Sequence, residues 1–121
     1  MRIDRLFRFE GRVGRAEHWR IAIVATLFET MLNAAVFNPL DGERDPLAIV
    51  LGALATSVIV AATLTTAVKR WHDRGRSWKW LLIVFIPVAG AVWAFIELGF
   101  LEGTPGPNRY GWPDSGSPFV G

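Results

Sequence analysis

From Leu47 to Val68 the chain carries 22 residues without one charged side chain. At 1.5 Å per residue, a helix of that length reaches across the roughly 30 Å hydrocarbon core of a bilayer. Ten of the 22 are Leu, Ile or Val. At about −0.3 to −0.6 kcal/mol each, they favour insertion by roughly 3 to 6 kcal/mol. A soluble domain within 121 residues has little use for a helix so long and so evenly apolar. The chain reads as an integral membrane protein.

Two further apolar runs flank the first, giving expected spans of about 19–37, 47–68 and 81–101. The first contains Glu29 and Asn33; the third contains Glu97, with Pro87 and Gly90 near its middle. Short connections leave no room for a second domain, so residues 1–121 form one three-span membrane unit. The fold class expected is an all-α bundle of three transmembrane helices, with a short N-terminal interfacial helix and an irregular C-terminal tail. The chain is 51% apolar with a net charge of only +2, and its basic residues flank the spans, which argues against nucleic acid as a partner. Cysteine is absent, which excludes thiolate metal sites and a cysteine nucleophile.

The basic residues also set an orientation. Six precede or open the first span (Arg2, Arg5, Arg8, Arg12, Arg15, Arg20), Arg44 alone lies in the first connection, five lie in the second (Lys69, Arg70, Arg74, Arg76, Lys79), and Arg109 alone follows the third span. The positive-inside rule places the N-terminus and second connection in the cytoplasm, with the first connection and the tail outside. The chain is thus expected to cross a membrane more than once, with its N-terminus in the cytoplasm.

In a helical N-terminal segment, Arg5, Arg8, Arg12 and Arg15 share one basic face, suited to anionic lipid, although Gly11 and Gly14 each cost a helix about 1 kcal/mol. Small and polar residues form one row on each span: Ala22, Thr26, Glu29, Asn33; then Ala53, Ser57, Ala61, Thr65; then Pro87, Gly90, Ala94, Glu97. Helices in lipid associate through such rows, so these are expected to face inward. Counted from the cytoplasmic ends, Glu29 lies at roughly 15 Å, Ser57 at roughly 16 Å, Asn33 at roughly 21 Å and Glu97 at roughly 24 Å. Glu29 should therefore meet Ser57 or Thr56, and Glu97 should meet Asn33. A carboxyl near the midplane is either a neutral, hydrogen-bonded packing group or a proton- or ion-handling one.

Outside the spans lie Gly11-Arg12-Val13-Gly14-Arg15-Ala16-Glu17-His18-Trp19, then Arg70-Trp71-His72-Asp73-Arg74-Gly75-Arg76-Ser77-Trp78, and Gly103-Thr104-Pro105-Gly106-Pro107-Asn108-Arg109-Tyr110-Gly111 in the tail. In this order and spacing, over nearly the whole chain, they resemble the family of small bacterial inner-membrane proteins catalogued as domain of unknown function 805. His18 departs from the family pattern, which usually has an aromatic there. The resemblance implies a three-span membrane protein and supplies no reaction.

Arg12, Arg15, Glu17, Trp19, Arg70, His72, Asp73, Gly75 and Trp78 share the cytoplasmic boundary, where they form either ion pairs clamping the N-terminal segment to the second connection or a basic pocket for a lipid phosphate. Five Gly and four Pro from Gly103 onward make the tail turn-rich and partly disordered; of its motif Gly106, Asn108, Tyr110 and Gly111, Asn108 and Tyr110 are expected to pin the first turn to the outer helix ends. No nucleophile at motif spacing, metal cluster, phosphate loop or cofactor pattern is visible. The expected activity is a non-enzymatic module binding a partner membrane protein, a second copy or anionic lipid through its Arg/Trp surface. The alternative is an oligomeric transporter or proton pathway using Glu29.

Overall fold

The computed structural model describes residues 2–38 and 42–119; Asp41 and the last two residues lie outside them. Among the described residues every regular element is helical. α1 (Arg15–Leu32) continues through a wider π turn (Asn33–Phe37), making 23 residues in all, and α2 (Pro46–Asp73) has 28. At 1.5 Å per residue these are about 34 and 42 Å long, enough to cross a bilayer. Pro46 opens α2, where its missing N–H has no partner to lose, and the Asp45 carboxylate accepts from the Leu47 N–H at 3.0 Å. The outer faces are bare: Leu27 is 59% exposed, Leu54 61% and Met31 69%. Faces of this kind are stable in lipid and a liability in water.

The row Ala53, Ser57, Ala61 does not form the inner face of α2; all three are exposed, and of that row only Thr65 is buried. Each residue turns a helix by about 100°, so Ala53 and Ser57 point away from a contact made by the residues just before them. That contact runs through Gly52 and Thr56 instead.

The third apolar run does not form the one long helix expected of a third span. Trp78–Phe85 forms a 3-10 helix and Ala89–Phe100 forms α3. By their rises of 2.0 and 1.5 Å per residue they measure about 16 and 18 Å, each roughly half a bilayer. Pro87 disfavours helix at the residue before it and lacks the N–H to continue one. The chain reverses there in a γ-turn: the Ala89 N–H donates to the Pro87 carbonyl at 2.6 Å, with Val88 at φ 61°, ψ −63°. That conformation is strained for a β-branched residue. Gly90 permits the reversal, because a Cβ there would collide with the Ile83 carbonyl. Trp80 and Ile83 then pack against Trp71, Ala94 and Leu98, which form the small hydrophobic core. The two limbs make a hairpin that enters and leaves at one end of the bundle.

The tail accordingly lies beside the N-terminal segment, not at the far end. The Arg2 N–H donates to the Pro118 carbonyl at 2.7 Å, the Gly116 N–H to Arg12 at 2.9 Å, and the Thr104 N–H to Asp73 at 2.6 Å. Far from fraying, it buries Gly116, Ser117 and Pro118. The N-terminal helix is confined to Ile3–Phe7, a 3-10 turn, because Gly11 takes φ 91° and the chain runs extended between. Gly11 also touches the tail, where a Cβ would stand 2.6 Å from the Gly116 nitrogen.

Candidate functional site

Asp73, in the last turn of α2, is a carboxylate shared by two buried guanidiniums. Arg12 reaches its Oδ1 through Nε at 3.0 Å and Nη2 at 2.9 Å, and Arg70, one turn earlier on the same helix, reaches Oδ2 at 2.7 Å. Arg12 is 1% exposed and Arg70 0%. The remaining donors of Arg12 go to the carbonyls of Gly106 at 2.6 Å, Gly111 at 3.1 Å, Thr104 and Asp73. All five N–H groups of its fork are thereby used. Gly103 leaves space for the Asp73 carboxylate; any side chain there would overlap it. The Arg12 guanidinium has no face left for a lipid phosphate, and Arg70 is fully enclosed. The two hold the protein to itself.

The same cluster terminates α3. A helix leaves its last carbonyls without intrahelical partners, and in a dry site each needs a donor. Arg70 Nε donates to Leu98 at 2.7 Å and its Nη2 to Leu101; Trp19 Nε1 donates to Gly99 at 2.7 Å; Arg15 Nη1 donates to Phe100 at 3.0 Å. Cations suit this end of a helix on dipole grounds as well. Gly99 is needed because the Trp19 ring lies 2.9 Å from where its Cβ would be. Arg15 also faces Glu102 at 3.7 Å, and Glu17 meets Arg20 at 4.0 Å.

Lys69 and Thr65 fasten the N-terminal segment from α2. The Lys69 ammonium donates to the carbonyls of Arg5 and Gly116, and the Thr65 hydroxyl to Leu6. His72 Nδ1 lies 2.9 Å from the Gly11 carbonyl, to which it donates, and its ring stacks on Tyr110 at 3.9 Å. Asn108 Nδ2 donates to the His72 carbonyl at 2.9 Å while its Oδ1 accepts from the Tyr110 N–H at 2.8 Å, an Asx turn. Gly75, at φ 76°, closes the turn after α2. Trp78, which opens the hairpin, is 55% exposed. At the surface, Arg2 forks onto Asp4 at 3.0 and 3.1 Å and holds that carboxyl below its usual range.

Glu97 does not meet Asn33. It is buried against Arg76, Arg74 at 3.5 Å and the Trp93 indole at 2.7 Å, because the folded-back hairpin returns it to the basic end. Asn33 accepts from Asn38 at 2.7 Å, and Ser57 donates to its own helix at Ala53. Glu29 does meet Thr56, at 3.3 Å, and its other oxygen, Oε1, is buried without a hydrogen-bond partner. Sequence reasoning used Lys69, Arg74 and Arg76 only for orientation, Thr65 only as an inward packing residue and Gly103 only as part of the tail pattern, and it missed Gly99 and Gly116, whose roles depend on which segment approaches them. Among the described residues, no three His, Asp or Glu side chains converge where a metal ion would bind.

The family model described as "Protein of unknown function (DUF805)" matches residues 6–112, which takes in the cluster from Arg12 to Gly111. Inner membrane protein YhaI of Escherichia coli K12 is 36% identical over 104 residues, covering 85% of this chain and 82% of that protein. Uncharacterized protein YiiR of the same strain is 32% identical over 130 aligned residues, covering 88% and 85%. No solved structure matches the chain.

Proposed function

The chain belongs to DUF805, a family of unknown function with an inner-membrane relative, and within it we propose a non-enzymatic membrane module whose basic and aromatic collar engages anionic lipid headgroups. One observation carries this: the cations at the hairpin end differ in exposure. Arg12, Lys69 and Arg70 are buried and bonded to the protein's own oxygens, whereas Arg8, Arg20, Lys79 and Arg109 are exposed. Beside these exposed cations, Phe7, Phe9, Trp78 and Trp112 are also exposed, Trp112 by 68%. Exposed aromatics at headgroup depth with Arg and Lys among them are the pattern of an interfacial anchor.

Twelve of the 13 Lys and Arg residues lie at this end and Arg44 lies at the other. The collar therefore faces the cytoplasm in this reading, with the hairpin dipping into the inner leaflet and both termini inside. In nanodiscs of mixed phosphatidylglycerol and phosphatidylcholine, the wild type should enrich the anionic lipid around itself. Each basic residue contributes about 1 kcal/mol, so the triple variant R8Q/K79Q/R109Q should lose most of that enrichment. Unchanged enrichment refutes the collar.

A second reading rests on the unpartnered Glu29 Oε1, which lines a 340 Å³ groove between α1 and α2. Should the protein conduct protons, flux into liposomes will be measurable in the wild type and abolished in Glu29→Gln. A flat wild-type trace ends that reading.

A further inference from the structure

A second groove, of about 390 Å³, runs between the N-terminal helix, α1 and α2. Its floor is Ala25 and Ala62, side chains too short to fill the space between the two long helices. Leu6 and Phe7 close it at the collar end with Phe119 of the tail, and Phe28 marks the opposite end. From Arg20 to Phe28 is about 12 Å of helix, enough for a good part of an alkyl chain. Every other lining residue is apolar; Arg20, at the mouth, is the single charge.

Arg20 differs from the sealed arginines. Its side chain is 62% exposed, its guanidinium lies 5.6 Å over the Phe119 ring, and its ion-pair partner Glu17 is at 4.0 Å. Among the described residues it makes no hydrogen bond to a protein carbonyl, so its fork is open to a phosphate.

We infer that this groove seats one acyl chain of an anionic phospholipid, with the lipid phosphate on Arg20. The occupant follows from the combination: an apolar trough in the leaflet, ending in an open cation at the depth of the headgroups. A partner helix would fill the trough and leave the exposed fork of Arg20, paired with Glu17 at 4.0 Å, without a hydrogen-bonding anion. This inference rests on the collar reading for the leaflet in which the groove lies, and it names a seated lipid where that reading has a surface.

The test uses the full-length protein taken from mixed phosphatidylglycerol and phosphatidylcholine nanodiscs into mild detergent and weighed by native mass spectrometry. One phosphatidylglycerol per chain should remain. Arg20→Gln, which alters an exposed side chain, should lower the retained ratio of phosphatidylglycerol to phosphatidylcholine about fivefold. Ala25→Phe, which fills the trough, should remove the retained lipid of either kind. Retention unchanged in folded Ala25→Phe, or an unchanged ratio in Arg20→Gln, overturns the inference, as does the mass of a second copy in place of lipid. If Ala25→Phe does not fold, the Arg20→Gln ratio decides alone. R8Q/K79Q/R109Q separates the two ideas. Loss of bulk enrichment with the single lipid retained supports both; no effect on enrichment, with the single lipid still sensitive to Arg20→Gln, sinks the collar and leaves the groove. Loss of the single lipid in the triple variant sinks the groove.

Discussion

Asp73→Ala should cost about 3–5 kcal/mol, the loss seen when one partner of a buried ion pair is removed and a charge is left unpaired. Here two charges are left, on Arg12 and Arg70, which are 1% and 0% exposed. Against a total stability of roughly 5–15 kcal/mol, that takes away a large share. The damage should spread beyond the pair. Arg70 also caps α3 at Leu98 and Leu101, and Arg12 also holds Thr104, Gly106 and Gly111. Loss of Asp73 should therefore loosen the hairpin and tail together. Arg12→Ala should cost a similar amount, and the double variant much less than the sum, since the two act as one unit. Unfolding of the detergent-solubilised protein by denaturant, followed by tryptophan fluorescence, measures all three. A midpoint equal to wild type for Asp73→Ala would show that the cluster does not hold the fold.

The second large effect is a change of sign. Alkaline phosphatase fused after Gly121 should be inactive and a green fluorescent fusion there should fluoresce, while phosphatase fused after Gly42 should be active. A straight third span reverses the first two results. The hairpin requires the former outcome, because Trp19 and Arg70 bond the carbonyls that end α3. Those residues stand at the start of α1 and the end of α2, so α3 finishes where α2 finishes. Active phosphatase at both Gly42 and the C-terminus would rule out the hairpin in the cell.

The lipid-facing character of the chain was legible from composition alone, since 22 uncharged residues in a row admit few other solvents. The two long helices, the cluster of Arg12, Arg70 and Asp73 at one boundary, and the meeting of Glu29 with Thr56 follow from spacing and depth. Ser57 and the four-residue row on α2 did not behave as expected, because periodicity over three turns does not resolve which of two adjacent rows meets α1. Nor did Glu97, whose partners depend on the direction of α3.

Hydropathy and charge order determined the solvent, the number of apolar segments and the boundary at which the basic residues gather. They could not decide whether the apolar run from Leu81 to Leu101 forms one straight helix or folds back on itself, because hydropathy is the same for both paths. That choice was made by tertiary contacts: the Ile83 carbonyl against Gly90, Trp80 against Trp71, and four terminal carbonyls of α3 that find donors only at the Arg70 end. A buried carbonyl without a donor costs about 1–3 kcal/mol, so the buried Leu98 and Gly99 end α3 where Arg70 and Trp19 can reach them.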